Sequence, residues 1–427
     1  MYLSGSFLAL MPAAYSSFFR SICLLLCLGA SNGLVVQRAV AQDSTLLRLA
    51  RRYHYPLQAS GTQFGGVGWE KLRTDVLKSQ FLLLGEDHGI AQIPQFAAAV
   101  ARELKPALYA LEVDPYVAAT LRQLAAQPGQ PTAYLKQYPG ALCFGSLAEE
   151  FALVRALRAQ QARAVGLDQI FIVNAAPFYQ QLAEQAKGAA ARAYLRQRAT
   201  AYHAQEQANL RQGSKTFVLL QQTPATIDSL LTVTKKESPG VQKMARDYAD
   251  SYRIYTTGSH QARLNLMKRN LLQELRPYQT ATGLQAPKML FKFGAMHLAR
   301  GGSPIRGGEY YDLGNLVQNL ADVQAQQSLH IIVLGKQGTK VSGAGLFADQ
   351  KPEAYTATLW EGDSGFPLKP FMDQVSGPAW SAFDLRPLRT ALAKGKLQLP
   401  NRSLERIITG YDYLVVIPET TASRLIQ

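Results

Sequence analysis

Cysteine is scarce in this chain of 427 residues: only Cys23, Cys27 and Cys143 occur. Two of the three fall in the first 27 residues, so the body of the chain keeps Cys143 alone and has no internal disulfide or cysteine zinc finger. A lone cysteine followed by Phe144 and Gly145 reads as packing. Acidic residues are missing from the first 42 positions, and Asp43 is the first carboxylate. The chain is basic, at +15, but long Lys/Arg blocks are absent; Arg51-Arg52 and Lys235-Lys236 are only pairs. Few aromatics interleave with these charges, so dedicated nucleic-acid binding is not indicated. No Gly-x-Ser-x-Gly elbow and no Gly-x-Gly-x-x-Gly fingerprint stands at a strand–helix turn, and there is no His-Glu-x-x-His helix. Ordinary serine hydrolase, dinucleotide and zincin chemistries are therefore disfavoured.

What the N-terminus does contain is ordered. Arg20 precedes the apolar run Ser21–Ala30, and Ala39-Val40-Ala41 forms a small-x-small site. A positive segment, a short apolar core and an A-x-A site make residues 1–41 a signal peptide. The run is too short for a confident membrane span. The expected product is exported to the periplasm or the medium, with membrane contact only through this segment if it stays uncleaved. Met1 or Met11 could each be the start. Loss of residues 1–41 removes Arg20 and Arg38, which lowers the formal charge from +15 to +13.

The full chain is 47% hydrophobic, enough for a large core. Residues 42–75 read as a polar lead-in, with one helix near 44–52 and a Gly-rich loop at Gly61–Gly68. From about 76 the pattern changes. Phe81–Leu84, Leu108–Val113 and Ala164–Leu167 are short apolar runs ending in polar residues, separated by helical spacing such as Phe96, Val100 and Leu104. That rhythm predicts a mainly parallel sheet flanked by helices. A long Ala/Gln/Leu-rich helical insertion or cap follows, over about 175–285. The strand pattern resumes at Lys288–Phe293 and His330–Gly335 and closes at Tyr413–Ile417. Residues 336–380 read as long loops. Residues 76–427 are expected to form a single α/β domain.

In open parallel sheets, ligands bind beyond the carboxyl ends of the strands. The polar residues collected there are Glu86, Asp87 and His88 after the first strand, Glu112 and Asp114 after the second, Asp168 after the third and His297 after a later one. Two of the six histidines sit on Gly-x-x-His turns, Gly85-Glu86-Asp87-His88 and Gly294-Ala295-Met296-His297. Each residue also has a plainer reading. Glu86 or Asp87 would cap a helix, Glu112 would pair with an arginine, and His297 would be a satisfied core histidine. Four charged groups on neighbouring strand ends cost several kcal/mol unless paired or hydrated, roughly, which favours one polar site. Arg263 is one of several arginines on the helical segment that could reach it.

The run Leu84-Gly85-Glu86-Asp87-His88-Gly89, with Leu111-Glu112-Val113-Asp114 about 24 residues on, resembles the erythromycin esterase-like family. So does the order that follows: Gly166-Leu167-Asp168, a helical section, Arg263–Asn270, a late strand with His297, and Tyr411–Ile417. The wider group includes TraB/TIKI proteins and ChaN-like haem-binding proteins. The resemblance implies catalytic roles for His88, Glu86, Glu112 and His297, with His88 as the base that activates water. It leaves Asp87, Asp114, Asp168 and Arg263 for substrate contact. The late turn departs from the esterase pattern, His-Asn-x-His, because Gly294 stands where the first His would be; this moves it towards the TraB/TIKI pattern. The leading expectation is a cofactor-free hydrolase of an ester, lactone or amide, acting on a small molecule or peptide. The alternatives are a zinc-type peptidase using His88, Glu112 and His297, and a haem or small-ligand binder without turnover.

Overall fold

The computed structural model describes residues 45–212, 216–305, 309–342, 351–356, 368–399 and 401–426. The segment read as a signal peptide lies outside the described residues. The described strands are β1 (His54–Ser60), β2 (Gln63–Gly65), β3 (Phe81–Glu86), β4 (Leu108–Leu111), β5 (Arg163–Gly166), β6 (Gln279–Thr280), β7 (Gly283–Leu284), β8 (Met289–Gly294), β9 (Ser328–Lys340), β10 (Glu353–Thr356), β11 (Trp380–Asp384) and β12 (Tyr413–Thr420). β6 and β7 pair as a small separate hairpin. The others form one sheet, ordered β2-β1-β11-β12-β9-β3-β8-β4-β5, with β10 beside β9.

Six neighbours, β12-β9-β3-β8-β4-β5, run parallel. β11, β1 and β2 extend one edge antiparallel. The parallel strands are apolar on both faces because helices cover both. Leu82, Leu84, Tyr109, Ile331 and Val333 enter one core, and Phe81, Leu83, Ala110, Phe291 and Ile332 the other. The protein is thus α/β, with a mostly parallel sheet between helical layers.

The connection out of β3 runs through helix Gln92–Leu104, which packs into the first core by Phe96, Val100 and Leu104. The connection out of β8 runs through helix Leu313–Val323, which packs into the second core by Leu313 and Val317. Adjacent parallel strands β3 and β8 therefore send their chains to opposite faces. That divergence opens a crevice at their carboxyl ends, where ligands of open α/β sheets sit.

The helical section holds six described helices between Ala175 and Leu275, with a core of its own around Tyr179, Leu195, Tyr202, Met244 and Tyr248. Its last helix, His260–Leu275, instead packs into the sheet by Leu264, Met267 and Leu271. This helix joins the cap to the strand ends.

Two segments differ from the sequence reading. The expected Gly61–Gly68 loop holds only a short turn at Gly61, then β2 and a helix from Gly66 to Lys78. A Cβ at Gly68 would lie 2.7 Å from the Pro56 carbonyl oxygen, so the glycine lets the helix rest on β1. The expected loops at 336–380 contain the end of β9, all of β10 and the start of β11. β11 reads Trp-Ser-Ala-Phe-Asp and has no clear alternation, yet all five residues are buried, with Trp380 and Ala382 in one core, Phe383 in the other, and β1 and β12 pairing its two edges.

The opposite end of the sheet is held by Asp412. It accepts from Arg300 at 2.6 and 2.5 Å, from Arg389 at 3.1 Å and from the His330 N–H at 2.9 Å. Burial pushes this carboxyl up, but the Arg300 guanidinium outweighs it and holds it well below the usual range. Truncating one partner leaves buried charge uncompensated. Asp412→Ala should therefore cost about 3–5 kcal/mol in urea unfolding. A loss under about 1 kcal/mol, as at an exposed pair, would contradict this account.

Candidate functional site

The strand ends assemble the site from separate parts of the chain. Glu86 is the last residue of β3, and His88 follows in the turn. Gly89 then takes φ +85°, and a Cβ there would lie 1.8 Å from the Val341 carbonyl oxygen, so only glycine makes this turn. Glu112 directly follows β4, and Asp168 lies just past β5. His297 ends a short 3-10 turn, Ala295–His297, that continues from β8. Arg263 enters from the first turn of helix His260–Leu275.

Glu112 is the hub. One carboxylate oxygen accepts from Arg263 at 2.8 Å and lies 3.4 Å from His297 Nε2. The other accepts from the Gly294 N–H at 2.6 Å and lies 3.4 Å from His88 Nε2. His88 Nδ1 meets Glu86 at 2.9 Å, and its ring stacks on Phe144 with centroids 4.1 Å apart. His297 Nδ1 is fixed by Asp312 at 2.7 Å. Arg263 also grips Asp168 through two bonds of 2.9 and 2.5 Å. The His88 side chain is 30% exposed, against 9% for Glu112 and 7% for His297. His88 is therefore the member of this group that a substrate can reach.

The charges are interdependent. Burial opposes protonation of His88, but hydrogen bonds and charge from Glu112 and Glu86 push it up to about 10. Burial raises the Glu112 carboxyl, but His297, His88 and Arg263 outweigh this and hold it well below the carboxylate range. Burial lowers His297, yet Asp312 and Glu112 raise it overall. Both His88 nitrogens are directed at carboxylates, which favour the protonated ring.

Glu86, His88, Glu112, Asp168, Arg263 and His297 are all brought together. Asp114 is not part of that cluster. Its carboxylate caps helix Pro115–Ala125 through the Tyr116 and Val117 N–H groups, both at 2.9 Å, and also accepts from Phe171. Asp87 turns away towards β9, where Lys340 lies 3.4 Å from it. Cys143 is buried, in keeping with a packing role. The sequence reading passed over Lys292, Glu150, Asp312 and Phe144. Only Lys292 carried a signal, as one charge inside the apolar run of β8.

The proposed metal set fits poorly. His88 and His297 face different oxygens of Glu112, and those oxygens are already bonded to Gly294 and Arg263. Among the described residues no three His, Cys, Asp or Glu side chains converge as metal ligands. A cavity of about 770 Å³ opens between helices Pro115–Ala125 and Ala175–Gln185, around Tyr116, Tyr138 and Gln181. It shares no residue with the His88 cluster, so size alone does not locate the chemistry.

Gly294 sets the clearance between the two Gly-x-x-His turns. A Cβ there would sit 3.0 Å from His88 Nε2 and 3.3 Å from the Glu112 carboxylate. Gly294→Ala should leave the fold intact but shift the His88 ring, costing on the order of tenfold or more in any activity of the site. Unchanged activity with an unchanged His88 environment by NMR would refute this.

No family model and no curated protein matches the chain. Solved structures do. A succinoglycan biosynthesis protein aligns with TM-score 0.57 at 13% identity, over 90% of this chain and 99% of its own. A Bacillus cereus protein aligns with TM-score 0.55 at 14% identity, over 90% and 99%. A mutant of the erythromycin esterase EreC, in its open conformation, aligns with TM-score 0.56 at 13% identity, over 88% and 99%. The strand-end motifs predicted this likeness: over nearly its whole length the chain has the fold of the erythromycin esterase structure.

Proposed function

We propose that the protein is an exported hydrolase that cleaves an ester, lactone or amide at the crevice between β3 and β8. The observation that carries this reading is the partly exposed His88 imidazole, held between Glu86 at 2.9 Å and Glu112 at 3.4 Å. The fold shared with the esterase structure and the export-like N-terminus agree with it.

In this reading the reaction starts from protonated His88. His88 enters as the acid and donates its Nε2 proton to the leaving group, an oxygen in an ester or lactone and a nitrogen in an amide. Water adds to the carbonyl carbon as the leaving group takes that proton, and the proton the water sheds returns to His88, which restores the start with water consumed and no other reactant needed. Glu112 faces Nε2 through the oxygen that the Gly294 N–H holds and stabilises the charged ring. Arg263 lies against the other Glu112 oxygen and holds the carboxylate in place. Substrate contact falls to the exposed edge of His88 and the walls around it.

A panel of ester, lactone and peptide substrates tests the reading directly. His88→Ala and Glu112→Gln should each lower kcat/KM by about 10²–10⁴ while circular dichroism stays native. Full turnover in either folded variant would sink the proposal.

The pH profile separates acid from base. With the His88 imidazole pushed up to about 10 by Glu112 and Glu86, an acidic role predicts that kcat/KM falls as pH rises through that value. A rate that climbs through the same range would assign His88 to the base role instead.

A further inference from the structure

We infer that Lys292 and Glu150 are positioning residues, which with Glu86 form a buried ion chain that fixes the His88 imidazole from behind. The inference rests on the reading of His88 as the reacting group and adds residues that lie beyond the substrate's reach.

Three separate elements build the chain. Lys292 is the single charge within the buried part of β8, Met289–Phe293. Glu86 ends the adjacent β3. Glu150 comes from the first turn of helix Ala148–Ala159, which packs into the same core as Leu82, Leu84 and Leu290. Lys292 Nζ lies 2.6 Å from Glu86 and 2.5 Å from Glu150. Their side chains are only 2%, 3% and 7% exposed. A buried ion cluster is weak support for stability, since well-packed apolar residues often serve as well or better. Its position supplies a reason for it. Lys292 Nζ and His88 Nδ1 bond to the same atom, Glu86 Oε1. Lys292 therefore both fixes the rotamer of that carboxylate and shares the negative charge that retains the proton on His88.

Glu150 sets how far Lys292 is shared. Burial pushes its carboxyl up to about 7, with Lys292 opposing and Glu86 reinforcing the rise. The groups that face Glu150 are Lys292, Glu86, His88 and Tyr109. Those that face His88 are Glu86 and Glu112 directly, with Lys292, Glu150, Arg263 and His297 behind them. An ionised Glu150 draws Lys292 away from Glu86. A neutral residue there leaves Lys292 wholly to Glu86 and weakens the hold of Glu86 on the imidazolium.

The test uses the full chain with ¹⁵N-labelled histidine. Glu150→Gln, which keeps shape and removes charge, should lower the His88 pKa by about half a unit or more in NMR titration. Its kcat should fall several-fold while KM stays near wild type. Lys292→Met should lose about tenfold or more in kcat, with KM again little changed. If Lys292→Met does not fold, the Glu150→Gln titration still decides the matter. An unmoved His88 titration in Glu150→Gln overturns the inference. So does a folded Lys292→Met with wild-type rates. If the wild-type protein turns over no substrate, the hydrolase reading fails, while the NMR arm still reports on the ion chain.

Discussion

The Glu112 carboxylate is the point at which three parts of the molecule meet. It follows β4, it accepts from the main chain where β8 ends, and it takes Arg263 from the helical section. Both histidines of the paired turns approach it at 3.4 Å. A carboxylate this enclosed costs several kcal/mol in desolvation unless every lone pair is engaged, roughly. Satisfying it dictates much around it: glycine at 294, a helix that leaves the cap to lie against the sheet, and a second acid, Asp168, to hold the arginine. The register of β8 between β3 and β4 brings these groups to one level.

That enclosure also separates support from reaction. Asp312 holds His297, Asp168 holds Arg263, and Glu86 holds His88. Each outer acid orients a basic side chain that in turn faces Glu112. Of the three basic side chains, His88 has the greatest exposure, while Phe144 covers one ring face. A proton can therefore pass to a ligand at the imidazole edge, with little rearrangement of the groups behind it.

Much of the fold was legible because parallel strands buried on both faces leave short apolar runs with polar ends, as at Phe81–Glu86 and Leu108–Glu112. The site was legible for the same reason: Glu86, His88, Glu112, Asp168 and His297 stand where those runs stop. β1, β11 and the small strand β2 were not. Trp380–Asp384 is buried by neighbours far away in sequence, so no local alternation marks it. Within Gly61–Gly68, Gly61 and Gly66 take positive φ and Gly68 packs its backbone on Pro56, causes that look like a loop in sequence. Asp114 follows its strand just as Glu112 does, yet it caps a helix, because Pro115 starts one immediately after it. The protonation of His88 was unreadable too. It depends on two carboxylates from different strands converging on one ring, and spacing along the chain does not report that.

The balance of charge bears on what such a site can accept. Each basic side chain in it has a carboxylate within 3.4 Å: His88 with Glu86, His297 with Asp312, Arg263 with Asp168, Lys292 with Glu86. The basic character of the chain, +15 over its full length, is thus not concentrated at the strand ends. With Glu112 and Glu150 included, five carboxylates face four basic side chains, so the site exerts no net attraction on an anionic ligand. Its fixed dipoles act most strongly on charge that develops within it, at the short distances where the pairs no longer cancel. An uncharged carbonyl that becomes an oxyanion beside His88 meets that condition. A substrate already bearing a carboxylate or phosphate at the reacting carbon would compete with Glu86 and Glu112 for the same imidazolium and would disrupt the pairing that orients it.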